Sequence, residues 1–375
     1  MKIVISGYVG KKITGIGRNL ICLLDNSSSE NEYIVYTNRD MKDDFKFENP
    51  NVKVKTYNIS KTSSLKNLLW TTFIFPFKVK QEKADKALIP NFTLLLFKFR
   101  PTVVIIHDLI EFNVKDKFSP KKMFYRTKIA DPFMVKRSDK IITVSENSKK
   151  DLMKFLNAPE DKITVIYNGV DQDKFHKMND YEAEGILKAK GWPTDYILYA
   201  GTIDHPGKNA IAVVKAFEEL KREGKYTGNC ILAGMPGNGF EVVKEYVDKS
   251  EYQNDIVITG FVSDQELVAL YSKCKVFAFV SLYEGFGIPP LEALSCGAKV
   301  IVSNTSSLPE VVGDVGITVN PNDQDVITNA INDCICMEVS DVYYEKVKEH
   351  LNNYNWKKLS VKFEDEISKP IKNPN

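Results

Sequence analysis

Two glutamates, Glu284 and Glu292, stand with seven residues between them in the stretch SLYEGFGIPPLEALSCG, and those seven include two glycines and a Pro-Pro pair. An ionised carboxylate only accepts hydrogen bonds, so acids on either side of nearly bare backbone suit a ligand with neutral hydroxyls at both ends. KVFAFV, just upstream, reads as a strand and SLYEGFG as the loop that follows it. Pro289 and Pro290 fit the first turn of a helix, where a missing N–H costs nothing. Gly297 fits the residue just past the helix end. Gly285, Phe286, Gly287 and Ile288 are thereby placed at a helix N-terminus, whose open N–H groups and positive partial charge receive an anion such as a diphosphate. A molecule built sugar–diphosphate–sugar matches that order of groups. Two glutamates at this spacing are a weak signal alone; the strand, loop, proline, helix and glycine around them make it specific. The competing reading is a helix dipole met by acidic residues of its own chain.

Lys208, in HPGKNAIAVVKAF, sits at a helix start, where the dipole disfavours a cation. A bound diphosphate would reverse that penalty; a lysine pointing into water is the alternative. His107 ends the apolar run VVIIHDL. It is either a satisfied core histidine or a group facing a ligand cleft, and Asp108 beside it organises the loop. Gly15 and Gly17 open a helix after the first strand and permit close approach of a ligand, or form only a turn. Neither this G-x-G nor AGMPGNGF at 233–240 has the spacing of a dinucleotide fingerprint.

Positioning these residues takes two series of buried strands and helices. In the first half KIVIS, EYIVYT, VKVKTY, KALIP, TVVIIHD, KIITVS and KITVIY read as strands, with helical patterns at 16–25, 64–80, 119–137 and 146–156. The rhythm restarts with YILYAG, NCILAG, DIVITG, KVFAFV, AKVIVS and GITVN, separated by helical patterns near 208–222, 240–249, 264–273, 289–296 and 323–336. Apolar strands alternating with helices imply parallel sheets covered on both faces. The expected division is a first Rossmann-like domain over 1–170, a polar linker over 171–195, a second Rossmann-like domain over 196–355, and a C-terminal helix and tail over 356–375 of uncertain docking that could return to the first domain. Ligands bind such sheets at the carboxyl ends of their strands.

A chain of 375 residues, 43% hydrophobic and 27% charged, is that of a globular protein with two domains. It has no apolar run long enough to span a bilayer and no signal-peptide pattern at the start. With six cysteines and no CxxC pair, reduced thiols and a cytoplasmic location are expected. Residues 1–180 carry 32 Lys and Arg against 21 Asp and Glu, and the remainder 19 against 28. The basic first half points to an anionic partner. Six arginines and no recognition helix argue against nucleic acid. The segments at 64–83 and 117–140 mix lysines with aromatic and aliphatic residues. On these residues alone, core helices with a solvated lysine face are slightly favoured over amphipathic faces for the cytoplasmic side of an anionic membrane.

SLYEGFGIPPLEALSCGAKVIVSNTSSLPEVVGDVG resembles the donor-binding motif of the family 4 retaining glycosyltransferases of GT-B fold, in which two doubly wound Rossmann-like domains face each other across a deep cleft. The likeness continues through TGIGRNL, IIHDLI, DKIITVSENSKKDL, DKITVIYNGVD, LYAGTIDHPGKN and GFVSDQEL, so it covers nearly the whole chain. It implies that Glu284 meets the transferred hexose, Glu292 the ribose hydroxyls, and the amides after Gly285 the sugar and phosphate. His107 would lie beside the donor sugar near the reacting carbon, and the backbone of Val262 against the base. The family usually has a second basic residue beside the lysine; here that neighbour is Gly207, and the other common position is Thr202, which is carried as a donor contact. Arg18, with His107 on the acceptor side, is the candidate to compensate. Gly15 and Gly17 are carried as donor contacts.

The resemblance implies retaining, metal-independent hexosyl transfer without a cofactor, from a nucleotide sugar to a glycan or lipid-linked saccharide. No carboxylate is assigned as a covalent nucleophile. The motif wording is similar to mannosyltransferases of bacterial surface polysaccharides, which puts GDP-mannose ahead of UDP- and dTDP-sugars. The alternatives are a non-catalytic nucleotide-sugar-binding subunit, which Gly207 favours, and a phosphorylase-like enzyme, for which the required cofactor lysine setting is missing.

Overall fold

The computed structural model describes residues 1–9, 13, 15–28, 30–114 and 117–371. It divides into two units: Met1–Gly169 together with Trp356–Asn375, and Val170–Asn355. The first contains seven strands, Lys2–Ser6 (β1), Glu32–Asn38 (β2), Val52–Tyr57 (β3), Lys86–Ile89 (β4), Thr102–Ile106 (β5), Lys140–Thr143 (β6) and Ile163–Val165 (β7). They pair in the order β3-β2-β1-β4-β5-β6-β7, and every pair is parallel. Successive side chains of a strand point to opposite faces, so a sheet buried on both needs apolar residues throughout. β1 shows this directly. Ile3 and Ile5 pack with Leu20, Leu23 and Leu24 of helix Gly15–Asp25, while Val4 packs with Trp70, Phe75, Val79 and Met134 on the other face.

The last helix, Trp356–Ser368, lies in the first unit, where Trp356, Leu359, Phe363 and Ile367 join the Ile3 and Ile5 face. Polar contacts fix its register: Glu366 pairs with Lys140 at 3.2 Å and accepts from Thr164 at 3.0 Å. Burial pushes the Glu366 carboxyl up, but hydrogen bonds from Lys369, Lys140 and Thr164 outweigh it and hold the group below the usual carboxylate range.

The second unit carries Tyr196–Ala200 (β8), Asn229–Ala233 (β9), Ile256–Gly260 (β10), Val276–Phe279 (β11), Val300–Ser303 (β12) and Ile317–Val319 (β13). Their order is β10-β9-β8-β11-β12-β13, again all parallel. Each sheet therefore reverses its strand order once, between β1 and β4 and between β8 and β11. Such a reversal opens a crevice at the carboxyl ends of the two strands, because the connections leave in opposite directions.

Two expectations about local structure are corrected. Residues 171–195 are not a separate linker: they fold with the second unit and include helix Asp180–Ala189, capped by Asn179, which packs against helix Asp264–Lys273. Only Ala183 and Leu187 of that helix are buried, so its apolar stripe is too thin to stand out in a polar sequence. The helical patterns at 64–80 and 119–137 are each broken by a π turn, Trp70–Ile74 and Tyr125–Ala130. Pro76 and Pro132 follow directly in the next helices. A proline has no N–H for the residue four positions back, and the wide turn upstream accommodates that loss.

Candidate functional site

β11 ends at Phe279, and the chain runs through Ser281–Gly287 into helix Ile288–Ser295. A second loop holds this one in place. Ser306 Oγ accepts from the Glu284 amide at 3.0 Å, and Ser307 Oγ donates to the carbonyls of Glu284 at 3.0 Å and Phe286 at 2.6 Å. Thr305 donates to the Leu282 carbonyl at 3.2 Å, and the Leu282 amide donates to the Gly207 carbonyl at 2.9 Å. Gly287, at φ 110°, is the residue before the helix, and a Cβ there would stand 2.6 Å from Leu308 Cδ2. Its conformation and the lack of space both require glycine. No side chain caps the helix, and Pro289 and Pro290 occupy its first turn. The first N–H groups of a helix have no acceptor within it, so this end of the helix is suited to an anion.

Lys208 reaches the same loop from the turn after β8. Its Nζ lies 2.5 Å from Glu284 Oε1, and the two side chains are 27% and 12% exposed. The ammonium also stands 5.4 Å from the centre of the Phe279 ring. The helix that Lys208 precedes begins at Ala210, after Asn209 in the left-handed region. The Asn209 amide donates to the carbonyls of Val280 at 3.2 Å and Pro321 at 3.0 Å, tying this turn to the end of β11. A cation, a carboxylate and an uncapped helix thus converge where β8 and β11 part. That pairing of Lys208 with Glu284 links residues 76 positions apart.

Glu292 is buried on helix Ile288–Ser295, with Oε2 3.4 Å from the Tyr271 hydroxyl. Thr202 is exposed, and its carbonyl accepts from the Tyr199 hydroxyl at 3.0 Å. Burial, with the charges of Glu284 and Asp204, raises Tyr199 well above the ordinary phenol value. Val262 is half-buried in the loop between β10 and helix Asp264–Lys273. Gly285 and Ile288 are half-buried, and Phe286 is buried. The hydroxyls of Thr305, Ser306 and Ser307, and the amide of Asn209, were missed from sequence. Their only visible signal was their place in NTSSLPE and GKN.

His107, Gly15, Gly17 and Arg18 belong to the first unit. His107 follows β5; the residue is half-buried, with Nε2 fully shielded and without a partner. Burial pushes the imidazole down to about 4, against the opposing effects of the Asp108 charge and a bond to the Pro90 carbonyl. Asp108 Oδ1 accepts from the Ile110 amide at 3.1 Å, which is the loop-organising role expected of it. Gly17 is buried, and a Cβ on it would come within 3.1 Å of Ile13 and Val9, so packing alone accounts for glycine there. Gly15 has open space around it, and Arg18 is exposed on helix Gly15–Asp25.

A cavity of about 340 Å³ lies at the strand reversal of the first sheet. Ser6 and Tyr8 line it from the end of β1, and Asn91, Phe92 and Thr93 from the end of β4. Ser64 and Thr71 close it from one of the helices with a π turn, and Lys122, Tyr125 and Arg126 from the other. The hydroxyls of Thr93 and Tyr125 have no hydrogen-bond partner. Arg126 binds Glu111 Oε1 through Nε at 3.0 Å and stacks over the Phe92 ring at 4.1 Å. Burial, reinforced by Glu111, raises the carboxyl of Asp131 far above the usual range.

Residues 27–174 match the model of Glycosyltransferase Family 4, and residues 187–354 that of Glycosyl transferases group 1, so the two cover most of the chain. The serotype-specific mannosyltransferase WbdA of Escherichia coli is 32% identical over 257 residues, which is 66% of this chain and 30% of that protein. The O-antigen chain mannosyltransferase B of Escherichia coli is 32% identical over 241 residues, 64% of this chain and 62% of its own. This chain thus spans less than a third of the length of WbdA. Among solved structures, Anabaena Alr3699/HepE in complex with UDP-glucose superposes with a TM-score of 0.76 at 17% identity, over 98% of this chain and 99% of its own. That likeness agrees with the two parallel sheets described above. The chain belongs to the family 4 glycosyltransferases of GT-B fold and resembles those that build bacterial surface polysaccharides.

Proposed function

We propose that this protein is a retaining hexosyltransferase that takes its sugar from a nucleotide-sugar donor and passes it to a glycan or lipid-linked saccharide in surface polysaccharide synthesis. The observation that carries this reading is the Lys208–Glu284 contact of 2.5 Å beside the uncapped start of helix Ile288–Ser295, at the strand reversal of the second sheet. On donor binding the diphosphate meets the helix amides and draws the Lys208 ammonium, while Glu284 turns its freed oxygen to sugar hydroxyls. Glu292 accepts from the ribose, and Val262 and Thr202 border the nucleoside. The bond from the anomeric carbon to phosphate oxygen breaks, and a bond to the acceptor oxygen forms on the same face of the ring. The acceptor's proton passes to the departing phosphate, so the products are a glycoside and a nucleoside diphosphate. His107, neutral at pH 7, can share a hydrogen bond with a sugar hydroxyl without adding charge.

The first-sheet cavity is the proposed acceptor site, since aromatic faces, hydroxyls and an amide are the groups that bind sugar rings. The names of the relatives support a mannosyl donor, and GDP-mannose is the first choice over UDP- and dTDP-sugars.

A preorganised electrostatic contact contributes roughly 10²–10³ in rate. Lys208→Ala and Glu284→Ala should each lower transfer by that factor while the melting curve keeps its cooperativity. Near-normal turnover in either variant would defeat the assignment. Gly207, where the family resemblance implies a basic residue, favours a second reading, a subunit that binds the donor without using it. Saturable donor binding by the wild type with neither hydrolysis nor transfer would establish that instead.

A further inference from the structure

The cavity at the strand reversal of the first sheet is lined by two cations, Lys122 and Arg126, and among the described residues by no acid. The two stand four positions apart on the run made by helix Pro120–Phe124 and the π turn after it. Like charges at that spacing repel along a helix face. Both lie over the Phe118 ring, Lys122 Nζ at 3.7 Å and the Arg126 guanidinium carbon at 5.2 Å from its centre. Loss of solvent on the cavity side lowers the Lys122 ammonium from its ordinary value, and the Arg126 charge lowers it further, against the opposing charge of Glu111.

The acids that answer Arg126 lie behind it, outside the cavity lining. Glu111 is 3% exposed, and its Oε1 accepts from Arg126 Nε at 3.0 Å and lies 2.9 Å from Nη2. Asp131, 2% exposed, sets its carboxyl against that of Glu111. Two carboxyl groups at such range cannot both ionise. Burial first, then Glu111, keep the proton on Asp131 against the pull of Arg126. This pair therefore carries one negative charge, which Arg126 matches. Lys122 has no ion-pair partner among the described residues, so these four groups sum to one positive charge in excess. Two hydroxyls in the cavity wall also lack partners, that of Tyr125 and that of Thr93, a residue 3% exposed. A shielded hydroxyl without a partner is costly to keep, and a ligand supplies one.

We infer that the acceptor bound in this cavity is an acidic saccharide, whose phosphate or carboxylate is held by Lys122 and Arg126 while Thr93 and Tyr125 meet its ring. The inference rests on the reading of the cavity as the acceptor site and adds the class of substrate. Glu111 and the Phe92 ring, at 4.1 Å, fix the plane of the Arg126 guanidinium before any ligand arrives. Its planar fork suits a carboxylate or a phosphate, and Lys122 adds a point charge. Glu111 and Asp131 are positioning residues, acting through Arg126. The volume of about 340 Å³ is at the lower end of the range of small-molecule sites.

Ligand-observed NMR with the full chain tests this in the absence of any nucleotide sugar. Mannose 1-phosphate stands for a linking phosphate and glucuronate for an acidic ring; mannose and inorganic phosphate are the controls. At least one charged sugar should bind about tenfold or more tightly than mannose, and more tightly than inorganic phosphate. Lys122→Gln should remove that preference yet keep mannose binding and the melting temperature, because the side chain is exposed. Lys122→Arg should restore the preference. The inference is overturned if mannose binds as tightly as both charged sugars, which leaves the cavity an acceptor site for neutral sugars. It is overturned equally if Lys122→Gln retains the preference, or if inorganic phosphate binds as tightly as the charged sugars and the cations hold an adventitious anion. Absence of binding by every probe overturns it together with the acceptor reading.

Discussion

Gly287 meets two constraints at once, a φ of 110° and a neighbour, Leu308, that leaves no room for a Cβ. Gly287→Ala should cost about 1–3 kcal/mol of stability and depress transfer further by moving the helix mouth, read by thermal melting beside an activity assay. His107 gives a prediction in pH. Its folded value of about 4 lies below the ordinary 6.5, so between those values the unfolded chain takes up a proton that the folded chain refuses. Stability from this group is complete above pH 6.5 and declines as pH falls toward 4, with a slope of at most about 1.4 kcal/mol per pH unit. Urea unfolding across that range should show the slope, and His107→Gln should flatten it. Glu284, Glu292 and Lys208 stood out in the sequence as candidates because of the strand–loop–proline–helix setting of the two acids and the place of the lysine at a helix start. The contact between Lys208 and Glu284 was not legible, since 76 residues separate them. Nor were the hydroxyls of Ser306 and Ser307, because a serine in a loop has no spacing that sets it apart.

Among elements, the strands were the most legible, since sheets covered on both faces force unbroken apolar runs such as those of β1, β5 and β11. Two of the helices that were missed bury little. Asp341–Leu351 hides only Val347 and Leu351, and Asp180–Ala189 only Ala183 and Leu187. The π turns were invisible because the apolar pattern continues through them. The C-terminal helix carries its own prediction. Trp356, Leu359, Phe363 and Ile367 are each worth about 1.5–3 kcal/mol when buried, a sum close to the entire net stability of about 5–15 kcal/mol of a typical domain. Ending the chain at Asn355 should therefore unfold the first unit while the second keeps its structure. Limited proteolysis should then digest residues 1–169 and spare a fragment near 170–355.

At the scale of the whole molecule, charge and connectivity divide differently. The excess of Lys and Arg belongs to residues 1–180 and the excess of Asp and Glu to the rest, yet the final helix, from the acidic part of the sequence, completes the basic unit. Its Glu366 meets Lys140 there. Both Rossmann-like sheets could be read from the alternation of strands and helices, whereas the destination of the tail could not, because an amphipathic helix fits any apolar surface of suitable width. The return of that helix also sets an order for synthesis. Residues 1–169 leave the ribosome without the segment that seals their sheet, whereas residues 170–355 have all their parts before that segment is made. The later-made lobe is consequently the first able to mature, and the earlier one waits, with an open hydrophobic flank that a chaperone can shield, until helix Trp356–Ser368 emerges.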